Sequence, residues 1–93
     1  MNGGAILIMT VIEKLLKKFL MFPADFSYAD LAKLLRHFGF REETGGKTTG
    51  SSVHFIDANG NSISIHKPHH GSSIKKPYLK GIARSLQKWG YLS

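Results

Sequence analysis

Residues 47–70 read KTTGSSVHFIDANGNSISIHKPHH, and this stretch decides the fold. Val53 and Phe55 alternate with polar residues in a first run, and Ile63 and Ile65 do so in a second run. Alternation with a period of two predicts strands that bury one face, and the Asn-Gly pair between the runs predicts a β-hairpin.

The length of the hairpin loop sets which residues face each other. A two-residue loop would place Phe55 opposite Ser64, an apolar side chain against a polar one. A three-residue loop, residues 58–60, instead places Phe55 opposite Ile63 and puts Gly60 where the backbone must be left-handed. We therefore predict the three-residue loop, which also pairs Val53 with Ile65, His54 with Ser64, and Ser52 with His66.

This register brings two histidines onto the polar face of the hairpin. His54 and His66 become diagonal neighbours, with backbones about 7–8 Å apart. Two imidazoles at that spacing can meet or flank one bound substrate. The same residues are also compatible with a simple exposed sheet face that carries no chemistry.

Three helices are predicted around the hairpin. Thr10 and Ser27 each begin a capping pattern, with an acidic residue three positions later. We therefore predict an extra N-terminal helix over residues 10–21 and a second helix over about residues 28–38. Pro77 suits the first turn of a third helix.

The order of the elements predicts an α+β fold. Residues 40–44 are a short strand candidate between the second helix and the hairpin. Helix, three strands and helix is the order of a double-stranded-RNA-binding-domain-like fold, a three-stranded antiparallel sheet with helices on one face. We expect residues 1–93 to form one domain, with a core over residues 27–90 and the extra helix before it.

The charge of the chain is strongly basic. The net charge is +7, and no acidic residue follows Asp57. Such a balance favours an anionic partner, most often nucleic acid, although an acidic protein or a membrane surface also fits. A basic stripe recurs every four residues along the third helix, at Lys76, Lys80, Arg84 and Lys88.

Several classes of chemistry are disfavoured. The chain has no cysteine, which excludes disulfides and thiol nucleophiles. The apolar run at residues 5–9 is too short for a membrane span or a signal-peptide core, so we expect a cytoplasmic protein without a membrane partner. His66, His69 and His70 match no standard zinc spacing, so we expect no metal and no cofactor. No acid that could orient His54 is evident.

Histidine acid–base chemistry on RNA fits the remaining residues best. The RNA 2′-hydroxyl is itself the nucleophile, so the protein needs only a proton-transfer group, a cation and a basic surface. His54 is the candidate acid or base, and His66, Lys47 or Lys67 could stabilise charge. Lys47 lies in a glycine-rich loop that is either a simple turn or an approach to a phosphate. The residues predicted to bind RNA are Lys47, Ser52, Lys67, Lys76, Lys80 and Arg84.

Three segments resemble HicA toxins of the YcfA-like family. They are DLAKLLRHFGF (residues 30–40), GGKTTGSSVHF (residues 45–55) and IHKPHHGSSIKKPYLKGIARSL (residues 65–86). The resemblance implies the toxin of a bacterial type II toxin–antitoxin system, a metal-independent mRNA interferase. It also implies a HicB antitoxin that covers the active face, with oligomers formed only through that complex.

One motif departs from the family pattern. The catalytic histidine of the family usually follows Gly-Ser directly, whereas Ser52 follows Gly50-Ser51 here. His54 lies two residues later, on the same face of the strand. Either His54 or His66 takes the role, or the nuclease activity is weak or absent. The alternative function is an RNA-binding module without catalysis, using the same face and the basic helix.

Overall fold

The structure, a computed structural model, describes residues 3–43, 52–67 and 73–92, with the backbone alone for residues 3–10. Pro77 lies in the first turn of the last helix, as predicted. The strands form one antiparallel sheet in the order of the sequence. The elements of the described part are α1 (Gly3–Leu20), α2 (Tyr28–His37), β1 (Arg41–Glu43), β2 (Ser52–Ile56), β3 (Ser62–His66) and α3 (Lys76–Lys88).

The hairpin of β2 and β3 has the predicted register. Residues 58–60 form the loop, and the Asp57 N–H donates to the Asn61 carbonyl at 3.0 Å to close it. Gly60 has φ +88°, the left-handed conformation that the three-residue loop requires. The pairs are Ser52 with His66, Val53 with Ile65, His54 with Ser64, Phe55 with Ile63, and Ile56 with Ser62.

Asp57 fixes the hairpin turn to the C-terminal end of the described chain. Its carboxylate, on a residue only 5% exposed, accepts hydrogen bonds from the N–H of Asn59, from the N–H and side-chain amide of Asn61, and from the Tyr91 hydroxyl. Burial alone would raise the pKa of Asp57, but these hydrogen bonds outweigh it and hold the pKa below its usual range. The bond to Asp57 also raises the pKa of Tyr91.

The second helix has the predicted N-cap. The Ser27 side chain accepts a hydrogen bond from the Asp30 N–H at 3.0 Å, which satisfies a donor that the helix itself leaves free. Beyond the helix, Gly39 has φ +98°, and the Phe40 N–H donates to the Leu35 carbonyl at 3.0 Å. Phe40 is consequently buried against the core.

The first helix differs from the prediction. It begins at Gly3, so the predicted N-cap at Thr10 is wrong. Alanine, leucine and methionine precede Thr10 and are strong helix formers, so the helix extends upstream and places Thr10 in its interior. It ends at Leu20, and Phe22 follows with φ +50°, just before Pro23. Because Pro23 cannot donate a backbone hydrogen bond, the helix does not continue through it.

One hydrophobic core lies between the sheet and the helices. The apolar face of the hairpin packs into it together with side chains from α1, α2 and α3. The opposite face of the sheet, which we call the open face, carries the alternate residues and is partly or fully exposed. The predicted α+β fold, with an extra N-terminal helix, is therefore confirmed. The largest fully buried side chains are Phe19, Phe26, Leu31, Leu34, Leu35, Phe55, Leu79 and Leu86.

Candidate functional site

His54 lies at the centre of the open face, on the middle strand of the sheet. Its ring nitrogen Nδ1 is 2.8 Å from the Ser64 hydroxyl oxygen, on the strand position directly opposite. A hydroxyl can donate or accept, so this contact holds the ring in either tautomer. Among the described residues, no hydrogen bond engages Nε2, the other ring nitrogen.

Glu43 is a site residue that the sequence did not reveal. The register of β1 and β2 pairs Glu43 with His54, so the two side chains share the open face. Directly opposite residues have Cβ atoms about 4.5–5.5 Å apart. Among the described residues there is no ion pair between them. The sheet thus carries a row of Glu43, His54 and Ser64, one residue from each strand.

His66 lies where the hairpin register predicted. It pairs with Ser52 on the open face and is exposed at the end of β3. It is therefore the diagonal neighbour of His54, and the open face presents two imidazoles to solvent. Within the described residues, no group of three histidine or acidic side chains is arranged to hold a metal ion.

Three of the predicted RNA-binding cations, Lys67, Lys80 and Arg84, do not lie on the open face. The Lys67 ammonium lies 5.4 Å from the centre of the Tyr28 ring, on the core side of the sheet. The Lys80 ammonium lies 5.9 Å from the centre of the Phe22 ring. Lys80 and Arg84 line a groove between α1 and α3, within the helical layer. We call this region the helical flank. Lys76 is exposed at the start of α3, whereas Lys47, His69 and His70 lie outside the described residues.

Tyr28 supports the sheet beneath the open face. Its ring lies 6.4 Å from the Phe55 ring, and its hydroxyl donates to a Glu42 carboxylate oxygen at 3.4 Å. Arg36 donates to the other oxygen of Glu42 at 3.3 Å. Burial, followed by the neighbouring Glu42 carboxylate, raises the pKa of the Tyr28 hydroxyl. These contacts and the Lys67 ammonium join the sheet to α2.

A groove of about 250 Å³ lies beside the open face, between β3 and the start of α3. Ser64 and His66 form one side, and Lys75 and Tyr78 lie along the other. Lys75 and Tyr78 had no individual role in the predicted site, because the contact of α3 with the sheet depends on packing across the fold. The groove adjoins His54, since Ser64 belongs to both.

The fold and the open face define a small α+β protein of the double-stranded-RNA-binding-domain-like class, with two neighbouring histidines on its sheet. The family model described as HicA toxin of bacterial toxin–antitoxin matches residues 28–87, from the start of α2 into α3. The chain therefore belongs to the HicA toxin family. This places it on the toxin side of a toxin–antitoxin system and implies an antitoxin partner.

Two other findings concern similarity to individual proteins and the capacity of the helices to span a membrane. No curated protein and no solved structure gives a significant match to the chain. In the part of the chain that the structure describes, none of the helices has the length and hydropathy needed to span a bilayer.

Proposed function

We propose that this HicA family member is an endoribonuclease that cleaves mRNA without a metal ion. The observation that carries the proposal is the setting of His54. Its imidazole lies on the central strand of the open face, contacts Ser64 through Nδ1 at 2.8 Å, and has His66 as a diagonal neighbour. A rigid sheet position in which Ser64 holds Nδ1 suits a group that moves protons through Nε2.

The proposed reaction is a transfer of the phosphodiester within the RNA. Nε2 of His54 removes the proton of a 2′-hydroxyl, whose oxygen attacks the adjacent phosphorus. The bond between phosphorus and the 5′-oxygen of the next nucleotide breaks. That oxygen takes a proton from His66, so the products are a 2′,3′-cyclic phosphate and a free 5′-hydroxyl. No metal or external nucleophile enters the balance.

Neighbouring charges support this division of roles. Glu43, opposite His54, would stabilise the imidazolium that His54 becomes when it accepts the proton. His66, in its protonated form, would act as the acid and offset the negative charge on the phosphorane. Ser52 faces His66 across the hairpin and would donate a hydrogen bond to a phosphate oxygen.

The basic residues would draw RNA to the open face. The net charge of +7 favours association with a polyanion. We propose that Lys47 contacts RNA near the strand ends, and that Lys67 acts from the edge of the sheet. The predicted RNA-binding residues of α3 would act mainly through long-range attraction, because they lie along the helical layer; they are Lys76, Lys80 and Arg84.

Membership of the family is the basis on which we propose a partner and a cellular compartment. We propose that residues 1–93 act as a single domain and that a HicB-type antitoxin covers the open face and blocks His54. Oligomers would then form through the antitoxin complex. A toxin acting on mRNA would work in the cytoplasm, where its substrate is.

The test is to incubate the purified protein with single-stranded RNA in the presence of a chelator. The proposal expects shortened RNA whose 3′ ends carry 2′,3′-cyclic phosphate, identified by mass spectrometry. Intact RNA that nevertheless binds the protein, with an affinity that falls steeply with salt, would instead support a non-catalytic RNA-binding module. Cleavage that requires an added divalent ion would contradict the proposed mechanism.

A further inference from the structure

The groove between β3 and α3 has the composition of a nucleobase site. Its floor includes the buried side chains of Ile74 and Ile82, which offer an apolar surface to a flat ring. Its volume is about 250 Å³, somewhat less than that of a pocket for a drug-sized ligand, so it suits a single ring system. A planar ligand with polar edges fits such a site better than a purely apolar one.

Tyr78 gives the groove an aromatic wall. The residue is 62% exposed, so packing in the core does not explain its presence. Among the described residues its ring stacks on no other aromatic ring. Exposed aromatic rings beside basic residues are the usual stacking surfaces for single-stranded nucleic acids.

The backbone of β3 gives the groove a hydrogen-bonding wall. β3 is an edge strand of the described sheet. The Asp57 N–H bonds the Asn61 carbonyl, and paired residues along an antiparallel ladder alternate between bonded and non-bonded pairs. Ser64 and His66 therefore stand at non-bonded pairs, with backbone N–H and C=O groups directed to the free edge. A base edge could be recognised there by donor and acceptor together.

The charge of the groove suits a phosphate linkage. Lys75 and His66 are exposed at its rim, and none of the described residues that line it carries a carboxylate. Lys75 also precedes the first residue of α3, where the helix dipole is positive. An RNA strand that enters the groove would therefore meet favourable charge on both sides of the base.

We propose that this groove binds one base of single-stranded RNA, stacked on Tyr78 and read at its edge by the backbone of β3. Lys75 contacts a neighbouring phosphate. Because Ser64 both lines the groove and contacts His54, the bound base belongs to a nucleotide next to the reacting linkage. The groove therefore contributes to sequence preference. The inference deepens the proposed function and rests on RNA as the substrate.

The test measures binding of 2′-fluoro RNA, which lacks the nucleophilic hydroxyl and cannot be cleaved by this route. A series of short oligonucleotides carries one abasic site at each position in turn. For the wild-type protein, one abasic position should weaken binding about tenfold, the scale of one stacked base. Tyr78→Ala should weaken binding of the intact strand by the same factor and lose the sensitivity to that position. Tyr78→Phe should behave as wild type.

Met21→Ala is the matched control, because Met21 is 77% exposed and lies just after α1. It should bind every oligonucleotide as wild type does. Equal affinities of Tyr78→Ala and wild type would overturn the inference and leave the groove as a surface for a partner protein. Absence of RNA binding by wild type would overturn it as well. If Tyr78-dependent binding is found but ordinary RNA stays intact, the nuclease proposal fails and the base site stands.

Discussion

The open face and the helical flank present two different kinds of polar surface. The open face holds His54 and His66 on regular strands, with Ser64 fixing one ring at 2.8 Å. The flank holds Lys80 and Arg84 on the outside of α3, where the Lys80 ammonium lies against the Phe22 ring. The histidines of the open face and the cations of the helical flank therefore occupy separate layers of this fold.

Asp57 ties the hairpin turn to Tyr91, which lines the groove of the helical flank, and its loss should have the largest effect on stability. Asp57→Asn replaces an acceptor-only carboxylate by an amide whose NH₂ meets donors from Asn61 and Tyr91. We expect a clearly lower melting temperature at neutral pH, measured by circular dichroism. Tyr91→Phe, which removes one donor, should lower it less.

The pH dependence of the melting temperature gives a second test of the contribution of Asp57 to stability. Because the folded-state pKa of Asp57 is depressed, its contribution to stability is present above the ordinary aspartate pKa of about 3.9 and is lost as the pH falls through the folded value. The raised pKa of Tyr91 acts oppositely, and its contribution is lost only as the pH rises through the folded value. Asp57→Asn should therefore make the melting temperature depend less on pH in the acid range, the acid limb of the curve. An unchanged acid limb in this variant would contradict the role given to Asp57.

Removing the cations of the helical flank should have the smallest effect. The double variant Lys80→Ala with Arg84→Ala should cleave RNA at saturating concentration within about twofold of wild type, because neither side chain reaches the reacting linkage. The dependence of its RNA affinity on salt concentration should change little. Each lost phosphate contact would lower the slope of log affinity against log salt concentration by about one. A loss of cleavage at saturation would show that RNA crosses the flank, and would contradict the separation of the open face from the helical flank.

The sequence predicted the parts of the site that depend on local rules. The loop of residues 58–60 and the alternation of apolar side chains are enough to set the register of β2 and β3, and with it the pairing of His54 and Ser64. The alternation of side chains along β3 also indicates on which side of the sheet Lys67 lies, although the prediction did not use it. Lys67 follows His66 directly, so it belongs on the other side of the sheet, where the structure finds it against Tyr28.

The remaining features depend on contacts between distant segments. Glu43 is separated from His54 by the long glycine-rich segment of residues 44–51, which selects no single turn type, so no local rule sets the register of β1. The placement of Lys80 and Arg84 depends on how α3 packs against α1. Thr10 shows a related limit, because a capping pattern marks a helix start only when the residues before it do not themselves extend the helix.

The central claim is that the imidazole of His54 moves the proton in RNA cleavage. The most direct measurement compares single-turnover cleavage by wild type, His54→Ala and His37→Ala in chelator. His37 is the matched control, since it is exposed in the last turn of α2 and absent from the open face. His54→Ala should be slower by a factor of about 10² or more, with an unchanged circular dichroism spectrum, and His37→Ala should match wild type. Cleavage by His54→Ala at the wild-type rate would contradict the account.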